Sequence, residues 1–283
     1  MDFVADPASL AFVLIIFSAI THATYNALIK SSKDKLVARM LMAVTSSLIL
    51  LPVAFFIPLP SPALFSLLFF TAFVHFAYQM AQVLSLHHAD YTLAYPLSRG
   101  TAPLVVAGLA PLVVGDYVNS GQLLGIALIS LSILSMSFSA RKGNGYGIAL
   151  SVLTGIAIAA YTLIDAKGSR MSPHPLTFIV WFFIFDSVVI SLFTLTRHHQ
   201  RFRSALAGEW KLALVNGVLG ICTFGSALLA FRYGNAPVMA AMRETSVLFA
   251  ALIGVVFLGE RFNRQRLVAI IGIAVGVAIT KIF

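Results

Sequence analysis

Apolar segments of about twenty residues follow one another along the whole chain, and no hydrophilic stretch between them is long enough to fold by itself. A helix of that length crosses a hydrocarbon core of roughly 30 Å. Lipid offers no partner to a backbone N–H or C=O, so each crossing segment must bond internally, as a helix does. Ten segments read as spans: Leu10–Ile29, Val37–Ile57, Ala63–Ser85, Tyr91–Val114, Gly121–Ser139, Gly145–Ile164, Leu176–Thr196, Trp210–Phe231, Ala236–Leu258 and Leu267–Ile282. Hydrophobic residues make up 59% of the 283 and charged ones 10%, where a soluble domain carries roughly a quarter charged. The expectation is an all-α integral membrane protein of about ten transmembrane helices.

The joins carry turn chemistry at Pro58-Leu-Pro60-Ser-Pro62, Gly143-Asn-Gly145 and Ser172-Pro173-His174-Pro175. The longest hydrophilic run is Arg197–Gly208. Met1–Ser9 holds Asp2 and Asp6 and no basic residue, so it reads as the lead into a first span and not as a cleavable signal. Cys222 stands alone in an apolar segment, which excludes a disulfide framework or a thiol-rich metal site. The net charge of +9 lies scattered over short loops without forming a basic stripe, so nucleic acid is not an expected partner. Thirteen Lys and Arg, Arg39 and Arg197 among them, follow odd-numbered spans, against four, Lys167, Arg170, Arg232 and Lys281, in the opposite set. The positive-inside rule then puts the basic loops in the cytoplasm and both termini outside.

The chain also repeats itself at an offset of 144 residues: Arg99 matches Arg243, Thr101 matches Thr245, Gly115-Asp116 matches Gly259-Glu260 and Asn119 matches Asn263. Two halves follow, residues 1–142 and 143–283, each with five spans. An odd number forces the second half to insert upside down, giving two inverted five-helix repeats. Secondary transporters are often built this way, with the site near the midplane between the halves.

At this level the sequence resembles the drug/metabolite transporter superfamily, in its ten-helix EamA type. The resemblance rests on the Ala94-Tyr-Pro-Leu-Ser-Arg-Gly-Thr-Ala-Pro103 run, the Gly115-Asp116 and Gly259-Glu260 endings, Gln122-Leu-Leu-Gly125, and the Tyr25-Asn26 pair. It implies two inverted five-helix bundles around a central cavity in a bacterial inner membrane. A homodimer through the fifth and tenth helices is the protein partner it implies. The second half departs from the first, with Ala240 for Pro96 and Glu244 for Gly100, so the halves need not have equal roles.

Ionisable groups inside a span cost roughly 2.5–3.5 kcal/mol each on insertion scales, so they turn to a cavity or a partner. Arg99 and Arg243 either offer paired donors to a substrate carboxylate or phosphonate, or clamp helices by pairing with Glu244 and Asp186. His75, Tyr78, Gln79 and Gln82 share one face of the third span. That stripe lines a wet path or bonds to a neighbouring helix. His22, Tyr25 and Asn26 form a similar face, and Tyr95 and Tyr161 each stand one turn before a charged residue, Arg99 and Asp165. Asp165 is expected to be solvated near a helix end. Asp186, with Trp181 and Phe182 before it, is a candidate for proton coupling, for amine recognition or for a structural pair with Arg243. Glu244 and His22 are further proton-coupling candidates. Pro96, Gly100 and Pro103 are expected to interrupt the fourth helix, whereas Pro237 opens the ninth as an ordinary first-turn proline.

The function this suggests is a secondary transporter that moves a small polar metabolite by alternating access. The resemblance implies an amino acid or a related carboxylate or phosphonate-like compound, with export as the common direction. Cationic or amphipathic drugs are the alternative cargo. No Gly-x-x-x-x-Gly-Lys-Ser/Thr motif is present for ATP. An intramembrane lipid-modifying enzyme would want acids and histidines at ligand spacing, which His87-His88 and His198-His199 lack. No enzymatic activity, cofactor or metal is expected, and membrane lipid and a small-molecule substrate are the expected partners.

Overall fold

The computed structural model describes residues 6–31, 35–139, 145–258 and 264–283. These are helical apart from short joins, with no β-strand among the described residues. Ten helices are long and apolar enough to cross a membrane: Pro7–Leu28, Val37–Phe55, Pro62–His88, Tyr91–Val113, Ser120–Phe138, Gly145–Met171, Pro175–Arg197, Trp210–Tyr233, Ala236–Gly254 and Arg264–Ile282. The turn at Gly143-Asn144, the Gly259-Glu260 ending, Asn263 and the division between residues 142 and 143 lie outside the described residues.

Helix starts follow from the join residues. Asp6 caps the first helix, accepting from Ala8 N at 3.2 Å and from Ser9 N and Oγ at 3.1 and 2.9 Å. The Ser9 hydroxyl, with the Ala8 and Ser9 amides, lowers the Asp6 pKa from its ordinary 3.8. Ser61 accepts from Leu64 N before Pro62. Asn119 and Gln122 form a reciprocal capping box. His174 and Asn235 cap the seventh and ninth spans, each followed by an early proline, so Pro175 and Pro237 lose no helical hydrogen bond.

Five local features differ from expectation. The sixth helix runs past Ile164 to Met171, and Asp165, Ser169 and Arg170 in its last turns each bond to another segment. Ser169 Oγ, for example, donates to Leu228 O at 2.8 Å. The fourth span keeps Pro96, Pro103 and Pro111 inside one unbroken helix, Tyr91–Val113. The break falls in the ninth span, where a turn at Glu244-Thr245 divides Ala236–Arg243 from Ser246–Leu258. The eighth span has a π-helical turn at Ile221–Gly225, a feature common near functional sites. The run Arg197–Gly208 is taken up in the helix Pro175–Gly220.

Burial separates the helices into inner and outer faces. The largest apolar cluster draws Ile15, Val106, Leu163, Phe231 and Met239 together from the first, fourth, sixth, eighth and ninth spans. Large apolar side chains such as Val13, Phe69, Phe73, Leu131, Val188 and Leu192 point outward, as a lipid-facing surface requires. The fifth and tenth spans meet at glycines: a Cβ on Gly125 would stand 2.7 Å from Gly276 O, and one on Gly276 would stand 2.7 Å from Ile129. Close approach of two backbones is what small residues permit in lipid. Exchanging each helix with the one five places along maps packed pairs onto packed pairs. The third against the sixth becomes the eighth against the first, and the fourth against the sixth becomes the ninth against the first.

Candidate functional site

A cavity of about 510 Å³ lies between the first, second, third, fourth, seventh and eighth spans. Its wall takes residues from late in the first, third and seventh helices and early in the second and fourth, so it belongs to the end of the bundle that carries the basic loops. Exposed Leu86 and Tyr91 stand at its edge.

Eleven of the residues singled out in the sequence line this space: His22, Tyr25, Asn26, His75, Tyr78, Gln79, Gln82, Tyr95, Arg99, Phe182 and Asp186. The stripe of the third span faces it as a unit, because His75, Tyr78, Gln79 and Gln82 return to one side of a helix every three or four residues. Tyr91 and Tyr95 stack with ring centres 5.1 Å apart, and His22 stacks on Tyr25. The buried His22 Nδ1 has no hydrogen-bond partner.

Arg39 also lines the cavity, although it counts with the loop cations when charge alone is read. It lies just inside the second span, and Met42, one turn along, faces the same space. Its Nη2 donates to Gln82 Oε1 at 3.1 Å, and the Tyr78 hydroxyl donates to the same oxygen at 3.4 Å.

The two repeat-matched arginines occupy different layers. Arg99 reaches the cavity wall and pairs with Glu244, Nε to Oε2, at 2.8 Å, both side chains being almost wholly buried. The approach is not aligned as a hydrogen bond. Arg99 Nη2 donates to Ser246 Oγ at 3.3 Å, so this guanidinium spans the break in the ninth helix. Arg243 lies deeper, its guanidinium carbon 5.0 Å from the centre of the Phe224 ring. With Arg99, Tyr161 and Glu244 it borders a second void of about 10 Å³. The ion pairs among the described residues are Arg99–Glu244, His75–Asp165 and Arg170–Asp116. Asp186 therefore faces the cavity without the pairing to Arg243 that was one of its expected roles.

Asp165 departs furthest from expectation. It is buried, accepting from Thr71 Oγ1 at 2.6 Å and contacting His75 Nε2 at 2.9 Å. Its partners lie on the third helix, 90 and 94 residues away, so no local pattern announces them. Tyr161 is likewise off the cavity wall, behind it, with its ring 4.2 Å from that of His75 and 5.1 Å from that of Tyr78. Trp181 does not line the cavity; it packs against Phe65, and its buried Nε1 has no hydrogen-bond partner. Phe182 does line it. Five residues separate Trp181 from Asp186 and turn a helix well away from that face, whereas the four from Phe182 keep it there.

The opposite end of the bundle is sealed. Arg170 donates to both oxygens of Asp116, at 2.8 and 2.7 Å, and also to Phe231 O and Gly234 O. Asp116 Oδ2 accepts from Ala236 N at 2.6 Å, Asn235 Nδ2 donates to Tyr117 O, and Arg232 donates to Ser169 O and Ser172 O. Asn119 Nδ2 donates to Phe283 O at 2.8 Å. Most of these bonds join residues before 142 to residues after 145.

The profile of the EamA-like transporter family matches residues 145–282. One solved crystal structure of a protein is similar over 97% of this chain and 98% of its own, with a TM-score of 0.74 at 12% identity, a likeness of fold alone. No curated protein matches the sequence.

Proposed function

We propose that this chain is an EamA-like transporter of the drug/metabolite transporter superfamily, as the match of residues 145–282 supports, and that it is a secondary transporter exporting a small zwitterionic or anionic metabolite. An amino acid, or a related carboxylate or phosphonate, is the cargo class. The observation that carries this reading is the 510 Å³ cavity with Arg39, Arg99 and Asp186 on one wall system. Its volume falls within the roughly 300–1,000 Å³ usual for small-molecule sites.

Each polar group then has a task. Arg39 attracts the anionic group as it enters, and Arg99 holds it by exchanging Glu244 for the substrate oxyanion, a forked donor being suited to carboxylate or phosphonate. Asp186 takes the amino group, and the tyrosines and Gln79 fill the remaining donor and acceptor positions. Arg243 stays below as a fixed positive charge. Two inverted five-helix halves, residues 1–142 and 143–283, would swing about this centre; the symmetric exchange of neighbouring helices supports that arrangement. The basic loops lie in the cytoplasm of a bacterial inner membrane and both termini outside, so the cavity opens inward.

A counterflow screen in proteoliposomes tests the reading, with L-amino acids, organic phosphonates, cationic drugs and sugars presented in parallel. Exchange of an amino acid or phosphonate, with KM raised about tenfold in Arg39→Gln, is the expected result; tenfold corresponds to about 1.4 kcal/mol of lost binding. Exchange of cationic drugs alone would select the second reading, which Asp186 beside Phe182 and Phe183 favours. Exchange of sugars alone would remove both.

A further inference from the structure

We propose that the His75–Asp165 pair is the proton-binding site that couples transport to a proton gradient. The inference rests on the transporter reading above and deepens it by naming the coupling ion.

A carboxylate within a span needs a compensating partner. Neutral donors alone would serve a purely structural acid, and Thr71 already supplies one to Asp165 Oδ1 at 2.6 Å. The second oxygen instead meets His75 Nε2 at 2.9 Å, and imidazole is the side chain whose charge changes near neutral pH. With a neutral imidazole the pair carries one negative charge. A proton taken up from water by the ring nitrogen not engaged with Asp165 brings the pair to zero. Neutralisation is what a water-poor, low-dielectric surrounding favours.

Position makes the site usable. His75 lines the cavity whereas Asp165 does not, so protons enter and leave through the imidazole when the cavity faces water. The ring is held by Tyr161 at 4.2 Å and Phe182 at 4.9 Å, which fixes it toward Asp165. The groups that face it are set differently. Tyr161 on the sixth helix presents its phenol ring to it, and Tyr78 on its own helix packs against Tyr161. On the fourth span Tyr95 is another phenol, and Arg99 is engaged with Glu244. Asp186, on the seventh span, and Arg39, on the second, line the same cavity as His75. A proton on His75 and an amino group of the substrate at Asp186 each add one positive charge to that shared space, drawing on the same carboxylates. Competition for a common charge makes the two occupants exclusive, the condition for proton–substrate antiport.

Two measurements test this. In proteoliposomes carrying a mixture of radiolabelled L-amino acids, wild-type protein is expected to accumulate label under a pH gradient and to exchange it at a rate that varies with pH. In Asp165→Asn the accumulation is expected to fall to the level seen without a gradient and the pH dependence to flatten. Wild-type accumulation in Asp165→Asn, or exchange lowered alike at every pH, would overturn the proposal. The second measurement needs no substrate: nitrogen NMR of histidine-labelled protein in nanodiscs, with the His75 signal identified by its loss in His75→Gln. That signal is expected to respond to pH over a range of about pH 5 to 8, and to follow a different pH profile in Asp165→Asn. A signal fixed over this range, or unmoved by the substitution, would contradict the pair. If wild-type protein exchanges no amino acid, the cargo class fails, and the NMR result still decides the proton site.

Discussion

The two ends of the bundle are held by different kinds of bond. At the sealed end a forked arginine–carboxylate pair, Arg170 with Asp116, is surrounded by carbonyls and an amide from the other half of the chain, at 2.6–3.0 Å. At the cavity end the second and third helices meet through a single bond to a neutral amide, Arg39 Nη2 donating to Gln82 Oε1 at 3.1 Å. Charge-assisted forked bonds are strong and directional, and neutral amide contacts are weaker. The difference teaches where the chain is tied together and where it is open: a charged fork joins distant segments at one rim, and a cavity of about 510 Å³ lies toward the other.

The largest effect is expected between the ends, at Arg99. Arg99→Ala leaves Glu244 as an uncompensated buried charge, for a loss of about 3–5 kcal/mol. Adding Glu244→Gln to that background is expected to recover much of the loss, read as Tm in detergent. Full wild-type stability in Arg99→Ala would mean that the floor of the cavity is held by something else.

A smaller effect is expected at the seal. Asp116→Asn replaces a charge-assisted fork by a neutral contact, for about 1–3 kcal/mol, and it acts on the equilibrium between states more than on folding. In a Cys222→Ser background, a cysteine placed at Ala240 beside the small void is expected to react severalfold faster with a membrane-impermeant thiol reagent added from the sealed side. Equal rates with and without Asp116→Asn would show that the fork is not what closes that end.

The smallest effect belongs to Asp6, outside both rims. Its cap is present above the ordinary aspartate value of 3.8 and is lost as pH falls through the lower folded value. Asp6→Ala is expected to speed amide hydrogen exchange at Ala8 and Ser9 and to leave Tm essentially unchanged, as for a surface change away from the core. A larger drop in Tm would tie the first turn to the seal.

Much of this was legible in the sequence wherever a periodic pattern sufficed. Span boundaries agree within a few residues for most helices, since apolar length and turn residues fix them locally. The polar stripe of the third span faces the cavity because its spacing is helical. Asp165 escaped because its partners are far along the chain, and a polar residue one position past an apolar span ending at Ile164 looks solvated until Thr71 and His75 are seen against it. Arg39 was counted as a loop charge because charge alone does not separate the first turn of a span from the join before it. Trp181 was assigned to the site on distance along the helix, where the angle around the helix decides.

Alternate opening of the two rims is most directly measured by electron–electron distance spectroscopy on two spin-label pairs in nanodiscs. One pair, Tyr117→Cys with Met171→Cys, spans the sealed end at exposed positions, and the other, Tyr91→Cys with Leu195→Cys, spans the cavity end at exposed positions. Each is made in the Cys222→Ser background. On adding the L-amino-acid mixture, the distance across the sealed end is expected to lengthen in part of the population while that across the cavity end shortens in the same proportion. Both distances unchanged, or both lengthening together, would contradict a carrier that opens one rim as it closes the other.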